Sequence, residues 1–351
     1  MSDITLTIND KPVTVPGGTT LLAAAARLGI HIPTFCHDPE LTRYGGCRIC
    51  VVEVKNWGKL PASCVTEVRE GMEVYTESEK VLEARRTILE LLLANHPDDC
   101  LTCEKAGDCL LQTYAYRYGV RKGAFLGAGR TYPLESDNPF IVRDMNKCIL
   151  CGKCVRVCAE VVGRSVIDFS FRGFNAKVAT PMDSGLRNAG CVFCGSCVEV
   201  CPVGALSEKQ RTGKGRPWET SSIPTTCPYC GVGCQINLLV KDGRVLGANA
   251  AGKGANGRHL CVKGRYGHGF IHHPERLINP LVRKNGELQE ATWEEAMEAV
   301  ARRFDRIKQD HGGQAIGILA SARITNEENY LLNKLARSVL GTNHIDHCAR
   351  L

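Results

Sequence analysis

The sequence predicts an α+β multidomain chain, and three observations carry that class. Its twenty cysteines among 351 residues fall in separate groups along the chain. One short phrase, CILCGKCVRVC, recurs further on as CVFCGSCVEVCP, an internal repeat. Between the groups the apolar period switches from that of strands to that of helices. Composition bounds the rest. With 44% hydrophobic residues the chain is not wholly disordered. The first ten residues lack the basic and apolar regions of a secretory leader, and no run reaches the roughly 18 apolar residues of a membrane span. The expectation is a cytoplasmic protein without membrane insertion, in which disulfides are disfavoured and so many thiols imply metal ligation or redox chemistry.

The elements follow in order. Ile4, Leu6 and Ile8 alternate, Asn9-Asp10 supplies a turn, and Val13 and Val15 alternate again, which predicts a β-hairpin. Thr19 or Thr20 caps a helix over 21–28 that Gly29 closes. Cys36, Cys47, Cys50 and Cys64 come next, with Gly45 and Gly46 letting the backbone wrap a small object. From Glu79 to Ala94 the residues Val81, Leu82, Ile88, Leu89, Leu92 and Leu93 keep helical spacing, and Pro97 stops it just after His96. Cys100, Cys103 and Cys109 follow, then the repeat within about 138–206.

Residues 207–223 read as a linker. There Lys209, Arg211, Lys214 and Arg216 stand among Gly213, Gly215, Pro217, Ser221 and Ser222 as in solvated chain, so no nucleic-acid partner is expected despite the formal charge of +7. Cys227, Cys230 and Cys234 open a last domain, with a hairpin over 235–248 turning at Asp242-Gly243 before Cys261 returns to the first three. Thr292 and Glu295 form a capping box before a helix to about Gln309. Residues 315–320 read as a buried strand and 326–340 as a helix closed by Gly341. Alternating strand and helix make this domain α/β.

Spacing assigns chemistry to the cysteines. Cys148, Cys151, Cys154 and Cys158, then Cys191, Cys194, Cys197 and Cys201 before Pro202, match the bacterial ferredoxin run, in which the fourth thiolate of each run serves the other cluster. Cys201 therefore pairs with the first trio and Cys158 with the second, for two [4Fe–4S] clusters. Structural zinc is the alternative, but it wants two ligand pairs far apart. Cys36-x10-Cys47-x2-Cys50-x13-Cys64 departs from plant-type ferredoxin spacing only in its widened first gap, which points to [2Fe–2S] over zinc.

These motifs carry a family resemblance. The hairpin, helix and first cysteine group resemble the β-grasp ferredoxin-like domain that opens iron-only hydrogenases and the large iron–sulfur subunit of respiratory complex I. His96 with Cys100, Cys103 and Cys109 resembles the next module of those proteins, and the resemblance implies a [4Fe–4S] cluster held by one histidine and three cysteines; a helix-terminal surface histidine is the alternative. Cys227-x2-Cys230-x3-Cys234-x26-Cys261 adds a fourth [4Fe–4S] site. The segment Cys261-Val262-Lys263-Gly264 resembles molybdenum and tungsten bis-pterin oxidoreductases, which implies that Lys263 lies between cluster and pterin as an electron relay; an exposed loop lysine is the alternative.

Residues 321–330 (SARITNEENY) and the closing His347-Cys348-Ala349-Arg350-Leu351 resemble cytoplasmic formate dehydrogenases. Arg323, at the carboxyl end of the predicted strand, is placed to meet a pterin-dinucleotide phosphate, a solvated arginine being the alternative. His268, His272 and His273 read as surface histidines.

The expected domains are 1–77 ([2Fe–2S]), 78–137 (one histidine and three cysteines), 138–206 (two [4Fe–4S]), the linker, and 224–351, the start of a molybdopterin oxidoreductase domain. The cofactors implied are one [2Fe–2S], four [4Fe–4S] and bis-molybdopterin guanine dinucleotide with Mo or W, the last bound only by a complete catalytic domain. With five clusters the net charge falls to about −2. The expected function is the electron-transfer arm and first part of the catalytic domain of a formate dehydrogenase, converting formate and CO2 reversibly. Its expected partner is a flavin- and cluster-bearing NAD(P)-reducing subunit, or hydrogenase or ferredoxin subunits. The alternative is a complex I-like electron-transfer subunit without pterin. Iron-only hydrogenase is disfavoured because the region after the linker departs from it. The resemblance also places a metal-ligating cysteine or selenocysteine directly after Leu351, hence the expectation of a selenoprotein segment upstream of its catalytic residue.

Overall fold

The computed structural model describes residues 2–125 and 127–347. The chain divides into two compact units, one of 1–221 with 239–242 and one of 222–238 with 243–351.

The first unit opens on the expected hairpin. Asp3–Ile8 and Lys11–Pro16 pair antiparallel, with Ile8 opposite Lys11. The turn residues Asn9 and Asp10 both take positive φ, 48° and 62°, the mirror-image turn that suits strand twist. The period of two turns Leu6, Ile8, Val13 and Val15 inward. Thr20 is the cap of Leu21–Arg27, accepting from the Ala23 amide. Two further strands, Glu73–Tyr75 and Glu53–Val54, complete a sheet in the order Lys11–Pro16, Asp3–Ile8, Glu73–Tyr75, Glu53–Val54. They are too short to show a period in the sequence. Cys50 and Cys64 belong to the same apolar core as Leu6, Leu21 and Val74.

Glu79–Ala94 is helical with the expected bounds, and buries Val81, Leu89 and also Arg85. That guanidinium donates to the carbonyls of Ile49 (3.2 Å) and Val51 (3.0 Å) and to the Tyr118 hydroxyl (3.1 Å). The helix is thereby tied to the backbone on both sides of Cys50.

The internal repeat recurs as backbone geometry. Lys153–Arg156 and Ser196–Glu199 each follow a left-handed glycine, Gly152 (φ 70°) and Gly195 (φ 74°). Each glycine is preceded by a cysteine and, before it, a side chain at positive φ, Leu150 (54°) and Phe193 (51°). Two ribbons frame the repeat: Ile141–Arg143 with Leu206–Glu208, and Asp168–Ser170 with Lys177–Ala179.

Gln235–Lys241 and Arg244–Ala250 turn over Asp242-Gly243, both at positive φ, and the elements that follow belong to the second unit. Trp293–His311 carries the capping box of Thr292 and Glu295. Ile318–Ala320 lies parallel to Ile345–His347, with Asn326–Lys334 between them. Two expectations need correction. Residues 313–315 form a 3-10 turn, and the strand is not buried, Leu319 being 91% exposed. A parallel strand is covered on both faces only in a wider sheet with helices on each side, and here two strands pair. The helix expected over 326–340 ends its α-helical part at Lys334 and continues as a π turn, Leu335–Leu340, before Gly341 at φ 74°. The expectation built on Cys348, Ala349, Arg350 and Leu351 lies outside the described residues.

Candidate metal centres

The first cysteine group stands in thiol–thiol contact. Cys50 Sγ lies 3.4 Å from Cys64 Sγ, and Cys36 hydrogen-bonds Cys47 and Cys64. Two thiolates on one tetrahedral metal with bonds of about 2.3 Å stand about 3.8 Å apart, so these contacts have the scale of shared ligation. The thiols hold their protons unequally. Hydrogen bonds from Cys47 and Cys64 hold Cys36 far below an ordinary thiol, and the Cys64 bond brings Cys50 down to about 6. The same bonds push Cys47 and Cys64 up. Ionising all four requires positive charge among them, which the donor set and spacing fit. The glycines have visible work here: a Cβ on Gly46 would collide with the Tyr44 ring.

The repeat brings its eight thiols together in two sets. One small cavity is lined by Cys148, Cys151, Cys154 and Cys201, and another by Cys158, Cys191, Cys194 and Cys197. Each set takes three thiols from one run and the fourth from the other. Apolar side chains such as Ile149, Ile167 and Val203 make up most of the rest of the first lining with Arg143, and Val162 and Leu186 contribute to the second with Arg164. Backbone amides point at sulfur: Leu150 N to Cys148 Sγ (3.4 Å), Phe193 N to Cys191 Sγ (3.3 Å) and Val166 N to Cys158 Sγ (3.4 Å). The positive φ of Leu150 and Phe193 belongs to the same turns. Burial pushes Cys148 up to about 11 and Cys151 to about 12. Thiols in such surroundings ionise only against a bound cation, and the crossed sets around small apolar volumes fit cluster binding.

The third group is partly assembled. Cys103 and Cys109 are buried and Cys100 is exposed. Gly204 is required against Cys103, because a Cβ there would stand 2.5 Å from its Sγ. The Leu110 amide donates to Pro202 O at 2.9 Å, and Arg216 donates to the carbonyls of Leu101 and Cys103. His96 is buried, and burial lowers its basicity, favouring the neutral ring that serves as a ligand. The cavity it lines is shared with Cys148, Ile149 and Leu150 and not with the three thiols.

The fifth group is the most open. Cys227 is buried, Cys234 half-buried, and Cys230 and Cys261 exposed. Cys227 N donates to Cys234 O at 2.8 Å. Burial, then the charges of Cys261 and Cys230, raise the Cys227 thiol. An open cavity is lined by Cys227, Tyr229, Lys263, Gly264, His268 and Phe270 among others. Lys263 reaches it from the helix Val262–Tyr266. His268 is a correction to the surface reading, since it is half-buried and lines this cavity. His272 and His273 are exposed, accepting from the amides of Val245 (3.0 Å) and Glu275 (3.2 Å). Arg323 is exposed beyond the end of Ile318–Ala320, and its charge is felt by Tyr229. Among the described residues no three His, Cys, Asp or Glu side chains converge on a single ion; the thiols stand in contact or around volumes.

Comparison with known proteins follows the same divisions. Residues 2–79 match a 2Fe-2S iron-sulfur cluster binding domain, 85–123 the NADH-ubiquinone oxidoreductase-G iron-sulfur binding region, and 138–207 the ferredoxin-like domain of NADH-quinone oxidoreductase subunit 3. Residues 220–273 match the molybdopterin oxidoreductase Fe4S4 domain and 276–351 the molybdopterin oxidoreductase model. The NADPH-Fe(3+) oxidoreductase subunit alpha of Geobacter sulfurreducens is 40% identical over 99% of this chain and 40% of its own. A Bacillus subtilis protein provisionally named a formate dehydrogenase is 32% identical over 100% of this chain and 40% of its own. The chain thus spans about two fifths of the length of these curated relatives. A crystal structure of an NAD+-reducing [NiFe]-hydrogenase matches at 34% identity with a TM-score of 0.56, over 61% of this chain and 91% of that one. No helix among the described residues is long and apolar enough to cross a membrane. The chain thus joins an N-terminal iron–sulfur arm that matches the NADH-quinone oxidoreductase G-like modules to two segments that match molybdopterin oxidoreductases.

Proposed function

We propose that this chain is the electron-transfer arm and the first part of the catalytic domain of a cytoplasmic formate dehydrogenase. The observation that carries the reading is the cavity in which Lys263 and Cys227 both stand, within the stretch that matches the molybdopterin oxidoreductase Fe4S4 domain. Five ligand sets are assigned: Cys36, Cys47, Cys50 and Cys64 for [2Fe–2S]; His96, Cys100, Cys103 and Cys109; Cys148, Cys151, Cys154 and Cys201; Cys158, Cys191, Cys194 and Cys197; and Cys227, Cys230, Cys234 and Cys261 for [4Fe–4S]. Bound clusters would supply single-electron transfer, and a bis-molybdopterin guanine dinucleotide with Mo or W would supply the two-electron chemistry by which formate becomes CO2 and a proton. Lys263, an exposed residue lining the same cavity as Cys227, would contribute positive charge beside the fifth ligand set. Arg323 contributes a cation for a dinucleotide phosphate. Cys151, Cys154 and Cys201 are buried and their mostly apolar lining limits the access of water to an occupant of that set. The electrons leave to a flavin- and cluster-bearing subunit that reduces NAD or NADP.

The test is metal analysis of the anaerobically purified whole protein with formate-dependent bleaching of its visible absorbance. Molybdenum or tungsten at about one per chain with bleaching by formate supports the reading. A second reading, a nicotinamide-linked electron carrier with no formate chemistry, has its own support: the NADPH-Fe(3+) oxidoreductase subunit is 40% identical, against 32% for the formate dehydrogenase-named protein. Iron without molybdenum or tungsten, and bleaching by NADPH but not formate, would select it.

A further inference from the structure

Arg85, Arg143 and Arg265 head the largest fully buried side chains of the described residues, and Arg143 stands closest to unexplained chemistry. It ends the strand Ile141–Arg143, opposite Leu206 on one side and, through reciprocal backbone bonds of 2.9 and 3.0 Å, opposite Glu135 on the other. Its guanidinium pairs with the Glu135 carboxylate at 2.9 Å and donates to Val178 O at 2.8 Å. The remaining nitrogen, Nε, is buried and has no hydrogen-bond partner. A charged donor left this way is costly unless something accepts from it. The same side chain lines the cavity of Cys148, Cys151, Cys154 and Cys201, where every other lining residue is a thiol or apolar.

We propose that Arg143 is the fixed counter-charge of the cluster site formed by Cys148, Cys151, Cys154 and Cys201 and sets the reduction potential of its occupant. The inference rests on the cluster assignment above. A cube ligated by four thiolates is anionic, and its negative charge grows by one on reduction. A buried cation beside it therefore stabilises the reduced form more than the oxidised form, in a medium that screens poorly. An N–H donor to sulfur acts in the same direction. Glu135, part-exposed, offsets some of that charge. Its removal must move the potential the opposite way from removal of Arg143, which a mere packing role does not predict.

The experiment is redox titration of the anaerobically purified holoprotein followed by EPR, with iron per chain measured on every sample. Arg143→Gln should lower the reduced-to-oxidised ratio of this cube about tenfold at fixed ambient potential, about 59 mV for a one-electron couple, at unchanged iron. Arg143→Lys should restore most of the parental value, and Glu135→Gln should shift the ratio upward. A parental midpoint in Arg143→Gln at full iron overturns the inference, as do shifts of the same sign in Arg143→Gln and Glu135→Gln. Should Arg143→Gln not fold, Glu135→Gln decides, and the absence of an upward shift overturns it. Parental protein with iron near 14 per chain instead of about 18, lacking this cube's signal, overturns the cluster assignment and the inference with it.

Discussion

The thiols of the two units live in different surroundings. In the first unit Cys36, Cys50, Cys64, Cys151, Cys154 and Cys201 are buried, and Cys50 and Cys64 are part of the main apolar core. In the second, Cys230 and Cys261 are exposed, and the core around Cys227 comprises Ile236, Ala248 and Leu260 with few partly buried neighbours. The long helix Trp293–His311 buries no residue at all. Similar cysteine spacings thus sit on unequal foundations. Where thiols are core residues, losing their occupant removes core; where they lie on a loop at the surface, it leaves the surrounding elements standing.

The largest expected effect tests that contrast directly. Cys154→Ser should remove about four irons and expose the first unit to proteolysis, because three buried polar groups and the half-buried Cys148 would then face an unfilled volume. Cys261→Ser should remove about as much iron while residues 1–221 stay protease-resistant. Equal protease sensitivity in the two variants would erase the distinction. Next, Lys263→Ala should leave iron content intact and slow formate-dependent reduction of the clusters about tenfold; the parental rate would return Lys263 to the role of an exposed loop lysine.

His96→Cys sharpens the comparison inside the first unit. A thiolate in place of a neutral imidazole adds negative charge to the site, so the cluster should persist at a lower potential. An unchanged potential would assign His96 to the cavity it shares with Cys148 and remove it from the ligand set. The smallest effects are the caps. Thr20→Ala, at the head of a helix packed into the main core, should cost about 1 kcal/mol in the denaturation of the first unit. Thr292→Ala removes the same kind of bond from an exposed helix and should cost about as much locally, read as faster amide exchange in Trp293–His311 with no change elsewhere.

Local chemistry was legible, as was the crossed grouping of Cys201 with the first trio and Cys158 with the second, while the other long-range contacts were not. The Asn9-Asp10 turn, the helix Glu79–Ala94 and the Thr292–Glu295 capping box could be read because each depends on neighbours within a few residues. The strands Glu53–Val54 and Glu73–Tyr75 could not, since two or three residues hold no period and pairing alone defines them. His268 was misplaced for a related reason: nothing near it in the sequence tells that the chain folds it back toward Lys263.

What the sequence by itself determined is the inventory: which thiols are available, in what spacing, and which turns and helices carry them, because ligand spacing and capping are short-range geometry. The crossed grouping of the repeat's thiols was also readable from their spacing, and tertiary structure alone decided what else faces the volumes they share. Arg85 and Arg143 show why. As charged residues they read as solvent-facing, yet both are buried, one gripping carbonyls on either side of Cys50 and the other lining the cavity of Cys148. Burying a guanidinium depends on acceptors supplied by distant segments, Val178 and Glu135 for Arg143, Tyr118 for Arg85. Only the folded chain brings those together.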